Sequence, residues 1–220
     1  MKYLSFSLWG DKPIYNVGAI KNAELSKTIY PEWKMVVYYD NTVPNETINL
    51  LNELDVLTID VTKKNIYGMF WRFFAVDLPD SEYAIFRDLD SRITLREKMA
   101  VDEWIESGKS LHVMRDHPAH RIPYGNDSLG ILGGMWGIKS KTLPLVNMIG
   151  SFIGNETLTY GSDQSFLKVI YNFLNDDKFT HDEFFDGNSF PIERESGRFV
   201  GDRLDEFDNP VGNDYKQILK

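Results

Sequence analysis

The first 114 residues alternate between strand-like and helix-like segments, and this order restricts the possible folds more than any other feature of the chain. The strand-like runs share β-branched, aromatic and other apolar residues, and they are 3–8, 34–40, 56–61, 82–87 and 111–114. Helix-like segments separate the first four runs, at 16–29, 45–54 and 68–78. A repeated strand–helix–strand order predicts an α/β fold with an open, mainly parallel sheet covered by helices.

The rest of the chain is less regular but contains two clear helical patterns. Thr94 and Glu97 have the spacing of a capping box, and Gly108 marks the end of the helix that follows. Apolar residues at helical spacing predict another helix over 160–175. We interpret residues 116–159, which lie between these helices, as loops with one strand.

The composition excludes several classes of protein. The 33 Asp and Glu residues outnumber the 24 Lys and Arg residues, giving a net charge of −9, so binding to nucleic acid is not expected. The absence of cysteine excludes disulfides and thiolate chemistry. No apolar run approaches the roughly 20 residues that span a bilayer. We therefore expect a cytoplasmic protein without a membrane span, and, because no linker or repeat interrupts the sequence, a single domain over 1–220.

Asp88 and Asp90 follow directly after the fourth predicted strand. Ligands of open α/β sheets bind beyond the carboxyl ends of the strands, and Asp40 ends the second predicted strand at the same edge. Carboxylate oxygens suit Mg²⁺ or Mn²⁺, and such an ion lets an acidic protein hold a diphosphate. We therefore predict that Asp88 and Asp90 bind a divalent cation. Two solvated loop acids are the alternative interpretation.

Arg72 is the only charged residue between Met69 and Val76, in a segment that is otherwise apolar. A buried guanidinium needs an anionic partner, because an unpaired buried charge costs several kcal/mol. The predicted partner is either the diphosphate of a nucleotide or Asp88 itself. A structural ion pair with another nearby acid is the alternative.

Asp163 and Gln164 lie in the first turn of the predicted helix over 160–175. Asp163 precedes Phe166 by three residues and therefore lies on the side of the apolar stripe, at its open end. One interpretation is a catalytic base that deprotonates an acceptor hydroxyl. Gln164 beside it could instead stabilise a developing positive charge on the substrate. The alternative for Asp163 is an acid that only favours the helix dipole.

His181 stands in a strand-like Thr-His-Asp segment after that helix. Such a strand could return the imidazole to the acidic edge of the sheet as a third metal ligand. The alternative, which applies to any single histidine, is a structural or exposed side chain.

A glycine-flanked tryptophan forms a further motif, Gly133-Gly-Met-Trp-Gly137. Glycines such as Gly134 allow close backbone approach, and Trp136 offers an apolar face on which a ring can stack. The alternative is a turn with a core tryptophan.

In their order and spacing these motifs resemble those of glycosyltransferases of the GT-A fold, similar to short stand-alone enzymes of bacteria and large algal viruses. The resemblance covers nearly the whole chain. The segments that carry it are Ser5-Phe-Ser-Leu-Trp-Gly10, the Asp-x-Asp motif within 86–92, Gly133-Gly-Met-Trp-Gly137, Gly161-Ser-Asp-Gln164, His181-Asp182, Phe190-Pro191, Arg194, Gly197 and Phe199-Val-Gly201.

The resemblance implies a Rossmann-like, mainly parallel central sheet flanked by helices, with a smaller antiparallel sheet on the acceptor side. Residues 1–92 would form the nucleotide-binding half and residues 93–220 the acceptor-binding half. Mn²⁺ or Mg²⁺ would be held by Asp88, Asp90 and His181. Gly134 and Trp136 would line the sugar and acceptor region. The implied contacts to the nucleotide donor are Ser7, Leu8, Trp9, Gly10, Asp40, Arg72, Asp88 and Leu89.

The implied reaction is the metal-dependent transfer of a sugar from a UDP-sugar to a hydroxyl of a glycan or other acceptor. We expect inversion with Asp163 as the base, although Asp163-Gln164 also resembles the pair of some retaining members, in which Gln164 would act. A nucleotidyltransferase is a competing interpretation, but the glycine-rich loop typical of that class is missing after the first strand. A non-catalytic sugar-binding protein is another. The expected location is the cytoplasm, or the host cytoplasm if the protein is viral.

Overall fold

The computed structural model describes residues 1–120, 130–154, 158–159, 161–195 and 197–218. Seven strands and five α-helices alternate along most of this length, together with one long 3₁₀ helix. The strands are β1 (Lys2–Leu8), β2 (Trp33–Tyr39), β3 (Leu57–Asp60), β4 (Tyr83–Phe86), β5 (Leu111–Arg115), β6 (Trp136–Lys139) and β7 (Lys178–Asp182). The α-helices are α1 (Pro13–Ile29), α2 (Asn45–Glu53), α3 (Leu95–Ser107), α4 (Leu145–Ile153) and α5 (Ser162–Phe173), and the long 3₁₀ helix is Gly68–Asp77.

All seven strands belong to one sheet, in the order β3-β2-β1-β4-β6-β5-β7. β1, β2, β3 and β4 are parallel to one another, as the strand–helix alternation predicted. β6 runs antiparallel to both β4 and β5, and β7 is parallel to β5. The α/β class and the mainly parallel sheet are therefore confirmed. The predicted antiparallel part is continuous with the main sheet.

Helices cover both faces of the sheet, and each layer has its own apolar core. On one face the 3₁₀ helix, α4 and α5 pack against the sheet through buried aromatic side chains such as Phe70, Phe73 and Phe166. On the other face α1, α2 and α3 pack through small and branched side chains and Trp104. The alternation of side chains along β1 explains this division, because Tyr3 belongs to the first core and Leu4 to the second.

Local sequence signals explain where several helices begin. The hydroxyl of Thr94 accepts a hydrogen bond from the backbone N–H of Glu97 at 3.2 Å, and Gly108 ends α3 with φ of 71°. The carboxylate of Glu97 does not close the predicted capping box, because it pairs with Arg87 at 2.8 Å. α1 begins at Pro13, earlier than the predicted start at residue 16, since proline is well suited to the first helical turn.

Two other predicted segments differ from the structure. Residues 68–78 were predicted as an ordinary helix and form a 3₁₀ helix over Gly68–Asp77. Residues 116–159 were predicted as loops with one strand, and they also contain α4, a short apolar helix. Tyr160 and Gly125, which belong to the predicted helix and loops, lie outside the described residues.

The chain after β7 returns to the sheet and is fixed there by Asp116, a fully buried residue just beyond β5. Its carboxylate accepts hydrogen bonds from Arg96 at 2.9 Å, from Arg194 at 2.7 Å and from the backbone N–H of Val200 at 2.9 Å. Further along, the N–H of Leu204 donates to the carbonyl of Asp90 at 2.7 Å. The last part of the chain is thereby held against the loop that follows β4. Among the helices of the described residues, none has the length and apolar character needed to cross a bilayer.

Candidate active site

The centre of the candidate site is Arg72, which the 3₁₀ helix places against the end of β1. Its backbone N–H donates to the hydroxyl of Ser7 at 2.9 Å, and its carbonyl accepts from the hydroxyl of Ser5 at 2.6 Å. Both serines lie on the face of β1 that the 3₁₀ helix covers. β1 thus fixes the backbone of Arg72 directly, and only the guanidinium is left to reach toward the carboxyl ends of the strands.

The guanidinium of Arg72 connects two carboxylates from distant parts of the chain. One nitrogen donates to Asp88, just beyond β4, and the other donates to Asp163, at the start of α5, at 3.1 Å. Burial opposes the charge of Arg72, but the two carboxylates outweigh this effect and raise its pKa. Of the two partners anticipated for Arg72, Asp88 is therefore present, and Asp163 is the additional acid.

Two glycines between the carboxylates make this cluster sterically feasible. A methyl group at Gly134 would overlap the carboxylate of Asp88, and one at Gly133 would overlap both Asp163 and the guanidinium of Arg72. These glycines precede β6, whose antiparallel pairing with β4 brings them beside Asp88. Gly134 thus lies beside Asp88, where the absence of a side chain leaves room for the ion pairs.

The two acids that pair with Arg72 differ in exposure. The side chain of Asp88 is 50% exposed, whereas that of Asp163 is only 2% exposed. Burial raises the pKa of Asp163 above its ordinary value, and the charge of Asp88 adds to this increase, while Arg72 opposes it. Gln164, whose N–H donates to Asp163 at 3.0 Å, has a buried side-chain oxygen without a hydrogen-bond partner among the described residues.

Asp90 lies in the same turn as Asp88, just after β4, and the last part of the chain holds it in place. Arg203 approaches its carboxylate at 3.4 Å, and Leu204 binds its carbonyl. Burial raises the pKa of Asp90, the charge of Asp88 raises it further, and Arg203 opposes the increase. Two carboxylates that repel one another in this way, one of them half exposed, fit a divalent cation that keeps several water ligands.

His181 does not join Asp88 and Asp90, so its predicted role as a metal ligand is not supported. It is fully buried in β7, and both ring nitrogens are engaged, with His112 at 2.9 Å and with Glu103 at 3.1 Å. The parallel pairing of β7 with β5 at the sheet edge separates it from β4. Within the described part of the chain, no group of three His, Cys, Asp or Glu side chains is arranged to hold a metal.

Trp136 is also displaced from its predicted role at the sugar and acceptor region. Its side chain is fully buried and packs against Phe86, with ring centroids 4.3 Å apart, and against Phe73 at 5.2 Å. A sugar ring has no access to its face. The alternative interpretation, a core tryptophan beside a glycine turn, is the correct one.

The end of β1, which was predicted to bind the donor, is connected to Asp40 by hydrogen bonds through Thr42. The N–H of Gly10 donates to the hydroxyl of Thr42 at 2.7 Å, and that hydroxyl donates to Asp40 at 2.5 Å. Trp9 is 43% exposed and meets Trp71 edge to face. The side chains of Leu8 and Leu89 are buried in the core, so a ligand could reach only their backbone atoms.

A cleft of about 500 Å³ opens beside Asp40, at the carboxyl ends of β2 and β3. Polar groups and aromatic rings both face it, which is typical of small-molecule sites. Its lining comprises Asp40, Asn41, Thr62, Lys64, Asn65, Ile66, Tyr67, Trp71, Ile153 and Leu158.

Thr42, Tyr67 and Trp71 were not identified from the sequence. Ser5 and Gly133 were named there only as members of motifs, because their effect on the placement of Arg72 and Asp163 requires knowing how the 3₁₀ helix packs. The alternation of Ser5 and Ser7 with apolar residues in β1 is the one signal that could have indicated a polar contact on that face of the sheet.

The fold and the site together define an α/β protein of the GT-A type, with an acidic cluster beyond β4 and an antiparallel strand beside it. Comparison of the sequence with models of protein families and with curated proteins gives no match.

Solved structures of similar architecture include two glycosyltransferases and a synthase. The galactosyltransferase LgtC, in complex with donor and acceptor sugar analogs, superposes with a TM-score of 0.53 and 13% identity, covering 82% of this chain and 73% of that one. The glycosyltransferase GlyE of Streptococcus pneumoniae gives a TM-score of 0.54 and 15% identity, covering 82% of this chain and 44% of that one.

The third structure is 4-diphosphocytidyl-2C-methyl-D-erythritol synthase of Anaerococcus prevotii, with a TM-score of 0.52 and 11% identity. The alignment covers 87% of this chain and 92% of that one. At such identities the similarity establishes the fold alone, which the two glycosyltransferases and this synthase share.

Proposed function

We propose that this protein is a glycosyltransferase that moves a sugar from a nucleotide-sugar donor, most simply a UDP-sugar, to a hydroxyl of a glycan or other acceptor. The observation that carries the proposal is the bridge from Asp88 through Arg72 to Asp163. It brings charged and hydrogen-bonding groups together beyond the carboxyl ends of the strands, where ligands of open α/β sheets bind. The similarity in fold to LgtC and GlyE supports this choice.

The proposed donor lies along the carboxyl edge of the sheet. Its base and ribose occupy the cleft beside Asp40, where Tyr67 offers an exposed ring and Lys64 a positive charge. Its diphosphate extends toward Asp88 and Asp90. Arg203, whose side chain is 58% exposed and lies near Asp90, is available to a phosphate oxygen. This arrangement lets a chain with net charge −9 hold an anion.

The proposed cofactor is Mn²⁺ or Mg²⁺, held by Asp88 and Asp90 with water completing the coordination. When bound, such an ion neutralises the diphosphate and stabilises it as a leaving group. Asp90 suits the role because burial and Asp88 raise its pKa, so that a cation relieves an unfavourable charge. With the ion bound, Arg203 would interact with the phosphates as well as with the carboxylate of Asp90.

Asp163 and Gln164 form the proposed sugar end of the site. The expectation that Asp163 is the base of an inverting reaction stays a prediction, and its burial against Arg72 means that acceptor binding must expose the carboxylate. Gln164 lies in the same helical turn as Asp163, and its buried side-chain oxygen has no hydrogen-bond partner among the described residues. A free oxygen suits the retaining alternative, in which Gln164 would act. The anomeric configuration of the product distinguishes the two.

A nucleotidyltransferase is the second candidate, favoured by the similarity to the synthase of Anaerococcus prevotii. The turn after β1 does not fit a nucleotidyltransferase, because Leu8–Pro13 contains a single glycine, Gly10, and therefore lacks the glycine-rich phosphate loop of that class. A non-catalytic sugar-binding protein would not require the bridged carboxylates.

The test is UDP release from a panel of UDP-sugars with Mn²⁺ and a panel of glycan acceptors, followed by NMR of the glycosylated product. We expect turnover by the wild type and by Glu106→Gln, an exposed control on α3. Asp163→Asn is expected to lower turnover by about 1,000-fold or more, the scale of losing a catalytic acid–base group, while leaving UDP binding intact. Release of pyrophosphate from UTP and a sugar phosphate, without UDP release, would assign the second candidate instead.

A further inference from the structure

A cavity of about 640 Å³ lies away from the donor cleft, on the α1 and α3 face of the molecule. Its walls come from the middle and end of α1, the first turn of α3 and the chain after β7. The volume is within the range of small-molecule sites, about 300–1,000 Å³. The donor cleft beside Asp40 shares no lining residue with it.

Each of the positive groups at this cavity already pairs with a carboxylate, although two of the carboxylates are shared between two cations. Lys21 and Arg92 both pair with Asp208, at 2.5 and 2.9 Å. Arg96 and Arg194 pair with the buried Asp116 at 2.9 and 2.7 Å. Arg198 pairs with Asp202. A phosphate or another small anion would therefore have to compete with existing ion pairs at every cation.

The negative groups are not neutralised in the same way. Glu24, Glu193 and Glu195 line the cavity and are exposed, and none has an ion-pair partner among the described residues. Carboxylates accept hydrogen bonds, and paired guanidinium groups retain nitrogen–hydrogen bonds that can donate. The cavity therefore offers acceptors and donors without a net positive potential, which suits a neutral ligand rich in hydroxyl groups.

Apolar surface is interleaved with these polar groups. Leu95 is 58% exposed and lines the cavity. Leu25 and Ile93 are partly or fully buried beside it. Such surface can pack against the carbon-bound faces of sugar rings, whose edges carry the hydroxyls.

We propose that this cavity is a second carbohydrate-binding site, which takes a neutral oligosaccharide and holds a glycan acceptor at a distance from the transfer site. The binding step stands on the cavity alone, whereas the acceptor role rests on the proposed glycosyltransferase function. No bond is made or broken there.

The cavity is connected to the transfer site through its own wall. Arg92 donates to the carbonyls of Leu89 at 3.2 Å and Ser91 at 3.1 Å, on either side of Asp90. Leu204 also lines the cavity and binds the carbonyl of Asp90. A glycan in the cavity would thus contact residues that position the Asp90 turn, so that one acceptor chain could be held and presented at the adjoining site.

The experiment is binding of the labelled 220-residue chain to an array of neutral glycans, without donor or Mn²⁺, with calorimetry on the glycans that bind. Thr28→Trp places a bulky ring from the exposed end of α1 into the cavity. Lys27→Trp is the matched control, because Lys27 is the exposed neighbour that does not line the cavity. We expect Thr28→Trp to weaken binding about tenfold or more, a loss of about 1.4 kcal/mol, and Lys27→Trp to change it less than about twofold.

A second variant guards against a folding defect. Leu95→Asp introduces an acid, which is favourable in the first turn of a helix. We expect this variant to weaken glycan binding as well, while its thermal unfolding stays close to that of the wild type. Asp88→Asn, at the transfer site, is expected to bind the same glycans normally. The proposal is overturned if no neutral glycan binds, if Thr28→Trp and Leu95→Asp both bind like wild type, or if only Asp88→Asn loses binding. UDP binding is unaffected by these outcomes and tests the proposed function separately.

Discussion

Arg72 and Asp163 are 91 positions apart in the chain, and their side chains form a buried ion pair at 3.1 Å. The pair joins the 3₁₀ helix that follows β3 to the first turn of α5. Asp88 completes the bridge from the end of β4. Through these contacts the nucleotide-binding and acceptor-binding halves that the sequence predicted share one charged cluster, and the proposed chemistry depends on its integrity.

Replacing Arg72 by methionine should be strongly destabilising. The methionine fills similar space but leaves Asp163 buried and unpaired, and breaking a buried pair in this way costs about 3–5 kcal/mol. We expect the free energy of unfolding, measured in urea, to fall by about 3 kcal/mol at pH 7. The double variant Arg72→Met with Asp163→Leu should recover much of this loss, and an equally unstable double variant would show that the pair is not the cause.

Gly134→Ala should separate the site from the fold. The added methyl overlaps Asp88, and a displacement of about 1 Å at a reacting centre can cost about 100-fold in rate. We expect UDP release to fall about 100-fold. Gly150→Ala is the matched control, because a methyl group there meets no atom within 4 Å. Replacing a helical glycine by alanine should raise the free energy of unfolding by about 0.5–1 kcal/mol. Equal activity of the two variants would contradict the role given to Gly134.

Trp136→Phe should affect stability more than activity. The indole is a core group, and its buried N–H has no partner among the described residues, so its loss removes packing but no hydrogen bond. We expect the free energy of unfolding to fall by no more than about 2 kcal/mol, with kcat/KM for sugar transfer unchanged. A large loss of kcat/KM without loss of stability would restore the sugar-stacking role that the sequence suggested.

His112 should make the protein sensitive to acid. Burial lowers the pKa of His112 well below 6.5, and His181 and Arg87 add to this effect. At acidic pH the imidazole of His112 therefore binds a proton in the unfolded chain but not in the folded chain. The free energy of unfolding falls as the pH drops below the pKa of His112 in the unfolded chain. Between pH 7.5 and 5.5 the wild type should lose about 1.4 kcal/mol more than His112→Gln in urea unfolding. Identical losses would contradict a buried neutral imidazole.

The sequence was most informative where one local rule determines an element. The alternation in 1–87 predicted the parallel strands, and Thr94 with Gly108 marked the limits of α3. It was least informative where long-range packing decides. The 3₁₀ form of Gly68–Asp77 and the helix α4 follow from apolar contacts across the sheet that no local pattern shows.

The same division holds within the candidate site. Asp88, Arg72 and Asp163 were each predicted from local context, and they meet, but their mutual pairing depends on β6 lying antiparallel between β4 and β5. His181 was assigned as a metal ligand from its strand-like setting, and Trp136 as a stacking ring from its glycine-flanked setting; the resemblance implied the same roles for both side chains. Their burial by β5 and by the aromatic core is a tertiary effect that a single sequence does not reveal.

The central claim is tested most directly by calorimetric titration of UDP, with and without Mn²⁺, into wild type, Asp90→Asn and the control Glu106→Gln. We predict that wild type and Glu106→Gln bind UDP at least about tenfold more tightly with Mn²⁺ than without it. Asp90→Asn should lose this dependence, because one of two carboxylates that hold the ion is gone. Absence of UDP binding in the wild type, or Mn²⁺-dependent binding that persists unchanged in Asp90→Asn, would contradict the account.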